Sequence, residues 1–182
     1  MGLRLNIGCA MPPLHPQHLA IMQPFEEWTL VDKYIDHPDV KKWDAEVLSE
    51  VREEACDIIY SSHLLEHISH TKVPAMLNLW YRKIKHGGKL IINVPDLAWV
   101  AGQILKYENG GFLEGVFNTF EGDRGLQSIV YGTHSHEGEY HKAGYTKSSI
   151  TKLLSDAGFK DIKVEQFVDA HDFGILFVTC IK

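Results

Sequence analysis

Two near-continuous apolar runs, ACDIIYSS (55–62) and GKLIINVPD (88–96), constrain this fold most, because a single helical pattern lies between them. Strands that are apolar at successive positions are covered on both faces, which is the situation of parallel strands flanked by helices. The segment between them supplies the crossover. Val73, Met76, Leu77, Trp80 and Ile84 fall on one stripe of a helix over 71–86, and Gly87 can end it in a left-handed conformation. The same rhythm precedes it, with LRLNIG (3–8) and EWTLVD (27–32) as strands and DVKKW (39–43) as a weaker third. A short acidic helix over 45–54 is expected to be a solvated cover. Helices are also expected from Asp96 to about Tyr107, ended by NGG (109–111), and over 147–157, with Thr146 as N-cap and Gly158 as the stop. The C-terminal end breaks the rhythm. DIKVEQFV (161–168) and FGILFVTCIK (173–182) leave no room for a crossover, so they pair as an antiparallel hairpin.

The chain of 182 residues suits one α/β domain over 1–182. Its 45% apolar and 23% charged content are those of a water-soluble protein, and the longest apolar run, FGILFVTCI (173–181), is strand-sized rather than membrane-spanning. No secretory signal is legible, so a cytoplasmic protein without a membrane partner is expected. A net charge of −6 without a basic stripe argues against duplex nucleic acid as a partner. Cys9, Cys56 and Cys180 are odd in number and widely spaced, neither a disulfide framework nor a zinc pattern. Cys56 and Cys180, inside apolar runs, read as core.

Ligands of open parallel sheets lie beyond the carboxyl ends of the strands. Asp32 ends the second strand, 24 positions after Gly8, where a carboxylate either binds the hydroxyls of an adenosine ribose or caps a turn. Asp44, in WDAEV (43–47), has two compatible readings as well. It accepts from an adenine amine beside the Ala45 backbone, and it caps the following helix. The stretch after Gly8 is unusual. Pro12, Pro13, Pro16 and Pro24 leave one or two helical turns around Gln17 to Met22.

Taken together, LNIGCA, VDKYID, WDAEV, CDIIYSSHLLEHI, HGGKLIINVPD and HKAGYTKSSITKLLSDAGF resemble a class I, Rossmann-like S-adenosylmethionine (SAM)-dependent methyltransferase, of the small bacterial and phage group. The resemblance covers nearly the whole chain. It implies a three-layer αβα sandwich around a mostly parallel seven-stranded sheet of order 3-2-1-4-5-7-6, with strand seven antiparallel. It implies SAM as cofactor. Gly8, Cys9 and Ala10 would line the loop under its methionine part, Asp32 would take the ribose, and Asp44 with Ala45 the adenine. Ser61, Ser62 and His63 would flank the donor sulfur and the incoming substrate. Leu64, Leu65, Glu66 and His67 would open the next helix, in part as structural residues. The chain departs from the family's G-C-G-x-G at Gly8-Cys9-Ala10-Met11-Pro12-Pro13. Close backbone approach through glycines matters for a pyrophosphate, and SAM has none, so the change argues harder against a dinucleotide than against SAM.

YGTHSHEGEYHKAGY (131–145) holds His134, His136 and His141 with Glu137 and Glu139. One reading is a metal site, because H-x-H on a strand puts both rings on one face. The other is a lid on the substrate side, mobile before substrate binds, with His141 as the base that takes the acceptor's proton and His63 as the second candidate. The expected activity is methyl transfer to an O or N nucleophile of a small-molecule or glycan-type acceptor. Two alternatives stand beside it: a binding protein with a degraded cofactor loop, and a metal-dependent enzyme built on the 134–141 histidines. Neither the acceptor nor the oligomeric state is legible.

Overall fold

The computed structural model describes residues 2–10, 16–109, 126–168 and 174–182. Within them the chain runs β1 (Leu3–Ile7), α1 (Pro16–Ile21), β2 (Trp28–Val31), β3 (Val40–Lys41), β4 (Cys56–Ser62), α2 (Val73–Lys83), β5 (Ile84–Pro95), α3 (Leu97–Glu108), α4 (Leu126–Tyr131), α5 (Lys147–Asp156), β6 (Lys160–Val168) and β7 (Gly174–Ile181). The strands form one seven-stranded sheet of order β3-β2-β1-β4-β5-β7-β6. β1 to β5 pair in parallel, and β7 runs antiparallel to both β5 and β6. This is the expected Rossmann-like α/β topology. No helix among the described residues is long and apolar enough to cross a membrane.

The two faces of the sheet follow the period-2 alternation of the strands. Leu5 and Ile7 of β1, Ile59 of β4 and Leu90, Ile92 and Val94 of β5 face α2 and α5, where they meet Met76, Leu77, Trp80, Ile150 and Leu154. Alternate residues, Leu30, Ile58, Tyr60 and Ile91, face the other way onto Met22 and the Leu19 and Ile21 side chains of α1. Each fully buried Leu, Ile or Met contributes about 1.5–3 kcal/mol. Cys56 and Cys180 are buried in the first cluster, as read from the sequence.

Four local expectations are corrected. Residues 45–54 form turns rather than a helix. Leu48 adopts φ +41° and Glu54 φ +52°, and Leu48 and Val51 are fully buried, so the segment is anchored in the core rather than a solvated cover. The crossover helix stops at Lys83 instead of Gly87, because Ile84 already pairs with Cys56. Gly87, at φ +76°, serves an irregularity of β5, where pairing jumps from Cys56–Ile84 to Ile58–Lys89. Leu65–His67 is a single 3-10 turn, with α2 starting only at Val73. The weak third strand keeps only Val40 and Lys41. The terminal helix is as expected: Thr146 Oγ1 accepts from Ser149 N–H, and Gly158 ends it at φ +101°.

Candidate active site

β1 delivers the chain to Gly8 at φ +71° and Ala10 at φ +59°. A Cβ on Gly8 would stand 3.0 Å from the Leu64 side chain, so glycine lets the turn after β4 close over this loop. Ala10 takes up a left-handed backbone with a side chain present, at a cost of about 1–2 kcal/mol. The loop is nevertheless tied down. Gly8 and Cys9 N–H donate to Val31 O at 2.8 and 3.2 Å, and Ala10 N–H donates to Asp32 Oδ2 at 3.3 Å. Asp32 Oδ1 accepts from Tyr34 and Ile35 N–H at 2.9 and 3.3 Å. The turn-capping reading of Asp32 is thus observed, and a carboxylate with about four acceptor positions keeps capacity for a further partner. Met11, Pro12 and Pro13 lie outside the described residues.

Cys9 turns its side chain away from the loop into the core with Met22, Trp28 and Tyr60. Burial, reinforced by Asp32, pushes its thiol up to about 12, so it is inert and only its backbone belongs to the loop. Asp44 makes an ion pair that sequence reasoning missed, with Lys33 Nζ 2.7 Å from Oδ2. Its Oδ1 accepts from Glu46 N–H at 2.9 Å. Burial works to raise the carboxyl's pKa, but Lys33 and that N–H outweigh it and hold it below the ordinary value. Ala45 is buried, and its carbonyl accepts the Trp80 indole N–H at 2.9 Å, which fastens the loop to α2. One pocket at the strand ends joins Gly8, Asp32, Lys33, Asp44 and Ala45, with Trp43 and Ile68 as apolar walls.

At the end of β4, Ser61 is fully buried with no hydrogen-bond partner for Oγ. Ser62 Oγ accepts from Asn93 Nδ2 at 3.4 Å. His63 is left-handed at φ +51°, and its Nδ1 stands 3.2 Å from Glu66 Oε1. Strain of this kind concentrates at functional sites. Glu66, read from sequence as partly structural, is 2% exposed. Burial raises its pKa, but His63 and then His67 more than offset this, and the group stays below the usual carboxylate range.

The 140–145 segment lies against this turn. Lys142 and Ala143 N–H both donate to Glu66 O, at 2.6 and 3.1 Å, and Tyr145 Oη donates to Leu65 O at 3.1 Å. The C-terminal end of the segment read as a lid is thus hydrogen-bonded to the turn after β4. His141 Nδ1 is 2.6 Å from Ile129 O, a contact that requires Nδ1–H and leaves Nε2 as the proton-accepting nitrogen. Burial, which outweighs the attraction of Glu66, lowers the pKa of His141 below its ordinary value. A second cavity, of about 230 Å³, opens here between Glu66, Pro95, Val100, Ile129, His141 and Tyr145. His134 and His136 do not join it, and their stretch is not a strand. His134 Nε2 bonds Tyr131 O, and His136 Nδ1 accepts from Gly138 N–H. A metal site built on these histidines is therefore not assembled.

The methyltransferase-domain family matches residues 13–164. The chain belongs to this family. Solved structures agree at the level of fold. A SAM-dependent methyltransferase from Archaeoglobus fulgidus superposes with a TM-score of 0.63 at 17% identity, over 100% of this chain and 86% of that one. A Thermotoga maritima SAM-dependent methyltransferase gives 0.60 at 15%, over 100% and 82%. The 1,6-didemethyltoxoflavin-N1-methyltransferase of Burkholderia thailandensis, solved with 1,6-didemethyltoxoflavin and S-adenosylhomocysteine (SAH), gives 0.63 at 12%, over 100% and 71%. No curated protein matches the sequence.

The methyltransferase thus uses SAM, and the first pocket fits such a group. It combines a glycine held close by Leu64 and a strand-end carboxylate with acceptor capacity left on Oδ2. Trp43, Ala45 and Ile68 add apolar side chains to its charged lining. None of this requires a phosphate-binding helix.

Proposed function

We propose that this methyltransferase transfers the methyl group of SAM to an oxygen or nitrogen of a small-molecule acceptor bound in the Glu66–His141 cavity. The observation that carries this reading is the placement of that cavity. It shares Lys142 with the SAM pocket, and Glu66, the partner of His63, lines it. Asp32 binds the ribose, Asp44 and Ala45 frame the adenine, and the Gly8–Cys9–Ala10 backbone supports the methionine end. Ser61, Ser62 and His63 close the end of β4 near the transferring group.

When bound, SAM supplies a methyl group already activated by its sulfonium charge. The protein's work is then to align the acceptor and accept its proton. Of the two candidate bases, His63 has the carboxylate partner that orients an imidazole and stabilises its protonated form. His141, fixed by Ile129 O, forms the wall that holds the acceptor.

Turnover of an acceptor library with methyl-labelled SAM, alongside SAH calorimetry, tests the reading. His63→Gln is expected to lower kcat by roughly 10²–10⁴-fold and to leave SAH affinity unchanged. His141→Gln is expected to weaken acceptor binding and so raise its KM. Unchanged kcat in His63→Gln removes it as the base.

A further inference from the structure

Between the two pockets the molecule holds a polar cluster that methyl transfer does not require. Glu66, His67 and His141 each present one metal-ligating atom, and these atoms lie within 4.8 Å of one another. Both Glu66 oxygens and His67 Nδ1 are buried without a hydrogen-bond partner. Buried polar atoms are almost always satisfied, so a buried carboxylate whose only near partner is the His63 ring, beside an unpartnered imidazole nitrogen of His67, marks a missing partner. The His63 ring pairs with the carboxylate through charge, with Nδ1 3.2 Å from Oε1.

We propose that Glu66, His67 and His141 bind a divalent transition-metal ion, zinc or a neighbour of similar size. Two imidazoles and one carboxylate form a ligand set of known type, with bonds of about 2.0–2.2 Å and an open position left for a water or substrate. With candidate atoms within 4.8 Å of one another, the three side chains must draw together to reach such bond lengths. The surroundings fit as well. His141 Nδ1 donates to Ile129 O, the outer-shell bond that fixes a ligating histidine with its other nitrogen toward the metal. The Lys142 and Ala143 N–H bonds to Glu66 O, together with the Tyr145 Oη bond to Leu65 O, hold His141 in register with its partners before any ion arrives. Such preorganisation is what a metal site needs.

The role of the ion rests on the methyl-transfer reading, although its binding does not. Glu66 and His141 line the acceptor cavity and His67 lines the SAM pocket, so the ion would stand at the boundary of the two. An acceptor hydroxyl coordinated to the ion would be acidified by it, with His63, paired with Glu66, as the group to take the proton. The O–CH3 bond forms as the S–CH3 bond breaks, giving a methyl ether and SAH, and the imidazolium returns the proton to water. This points to a hydroxyl rather than an amine as the acceptor group.

The test uses the whole chain without a histidine tag, stripped with chelator and titrated with Zn²⁺ and with Co²⁺. One ion per chain is expected, with a cobalt absorption spectrum typical of low coordination number and a raised melting temperature. His141→Gln and His67→Gln should each weaken binding beyond the roughly 10–100-fold typical of losing an outer-shell partner. SAH calorimetry on His141→Gln, whose side chain lines only the acceptor cavity, should still report binding, and a cooperative melt of both variants excludes misfolding, which separates failure of the metal site from failure of the methyltransferase reading. His134→Gln and His136→Gln should retain the ion. Substoichiometric binding in the parent overturns the proposal, and so does an ion lost with His134 or His136 instead of His67 and His141.

Discussion

Ala10 keeps the left-handed backbone of a glycine position while carrying a methyl group. Ala10→Gly should therefore raise stability by about 0.5–1 kcal/mol, since relief of about 1–2 kcal/mol of strain exceeds glycine's entropic cost. Chemical denaturation checks this, and an unchanged or lower midpoint would contradict it. Asp32→Ala should weaken SAH binding more than Asp44→Ala does, because charge-assisted bonds to ribose hydroxyls are worth about 1.5–3 kcal/mol each; calorimetry of both variants decides. Asp44 has a second signature. Its folded-state pKa is depressed, so the unfolded chain takes up the proton first as pH falls. The stabilisation is complete above an unfolded value of about 3.9 and is lost as pH drops through the lower folded one. Melting curves between pH 2.5 and 5 should fall less steeply for Asp44→Asn than for the parent. Asp32 and Asp44 were legible because a carboxylate at a strand end is conspicuous in sequence. Lys33 escaped notice, since a lysine beside an aspartate carries no positional signal. Glu66 was undervalued for a different reason: nothing in LLEHI says that this carboxylate, rather than an apolar neighbour, is the buried one.

Single hydrogen bonds between elements decide where the loops stand. Trp80 lies in the core on α2, yet its indole N–H holds Ala45 O at the pocket's edge. Trp80→Phe should cost about 1–3 kcal/mol, because the buried carbonyl loses its donor. It should also weaken SAH binding, although residue 80 touches no ligand. Thr146→Ala supplies the control. Loss of the α5 cap should cost about 1 kcal/mol and leave SAH affinity unchanged. If both variants bind SAH equally well, the Ala45 anchor is irrelevant to the site. The expected 45–54 helix failed for a related reason. Its glutamates and leucine favour helix locally, but burial of Leu48 and Val51 and the Trp80 bond select turns instead. Tertiary contacts override propensity in so short a segment. Gly87 misled similarly: a glycine after a helical stripe marks a stop only when the following residues are not already pairing as strand.

For the molecule as a whole, the topology was the most legible property, because buried parallel strands and an uninterrupted terminal hairpin each leave a distinct hydrophobic pattern. The site was less so, since it assembles from Gly8, Asp44, Glu66 and His141, which only the sheet order brings together. SAH at 100 times its Kd should add about 2.7 kcal/mol of stability, a melting shift of about 5–11 °C for a chain of this size. A scan at millimolar SAH without any shift would contradict the assigned pocket. The pair of hydrogen bonds from Lys142 and Ala143 N–H to Glu66 O has its own physical consequence. Backbone protons held this way trade with solvent deuterium only when the turn after β4 also opens. The labelling rates of these two amides should follow those of β4 rather than those of neighbouring Gly138, so the floor of the acceptor cavity and the central sheet come apart as one unit.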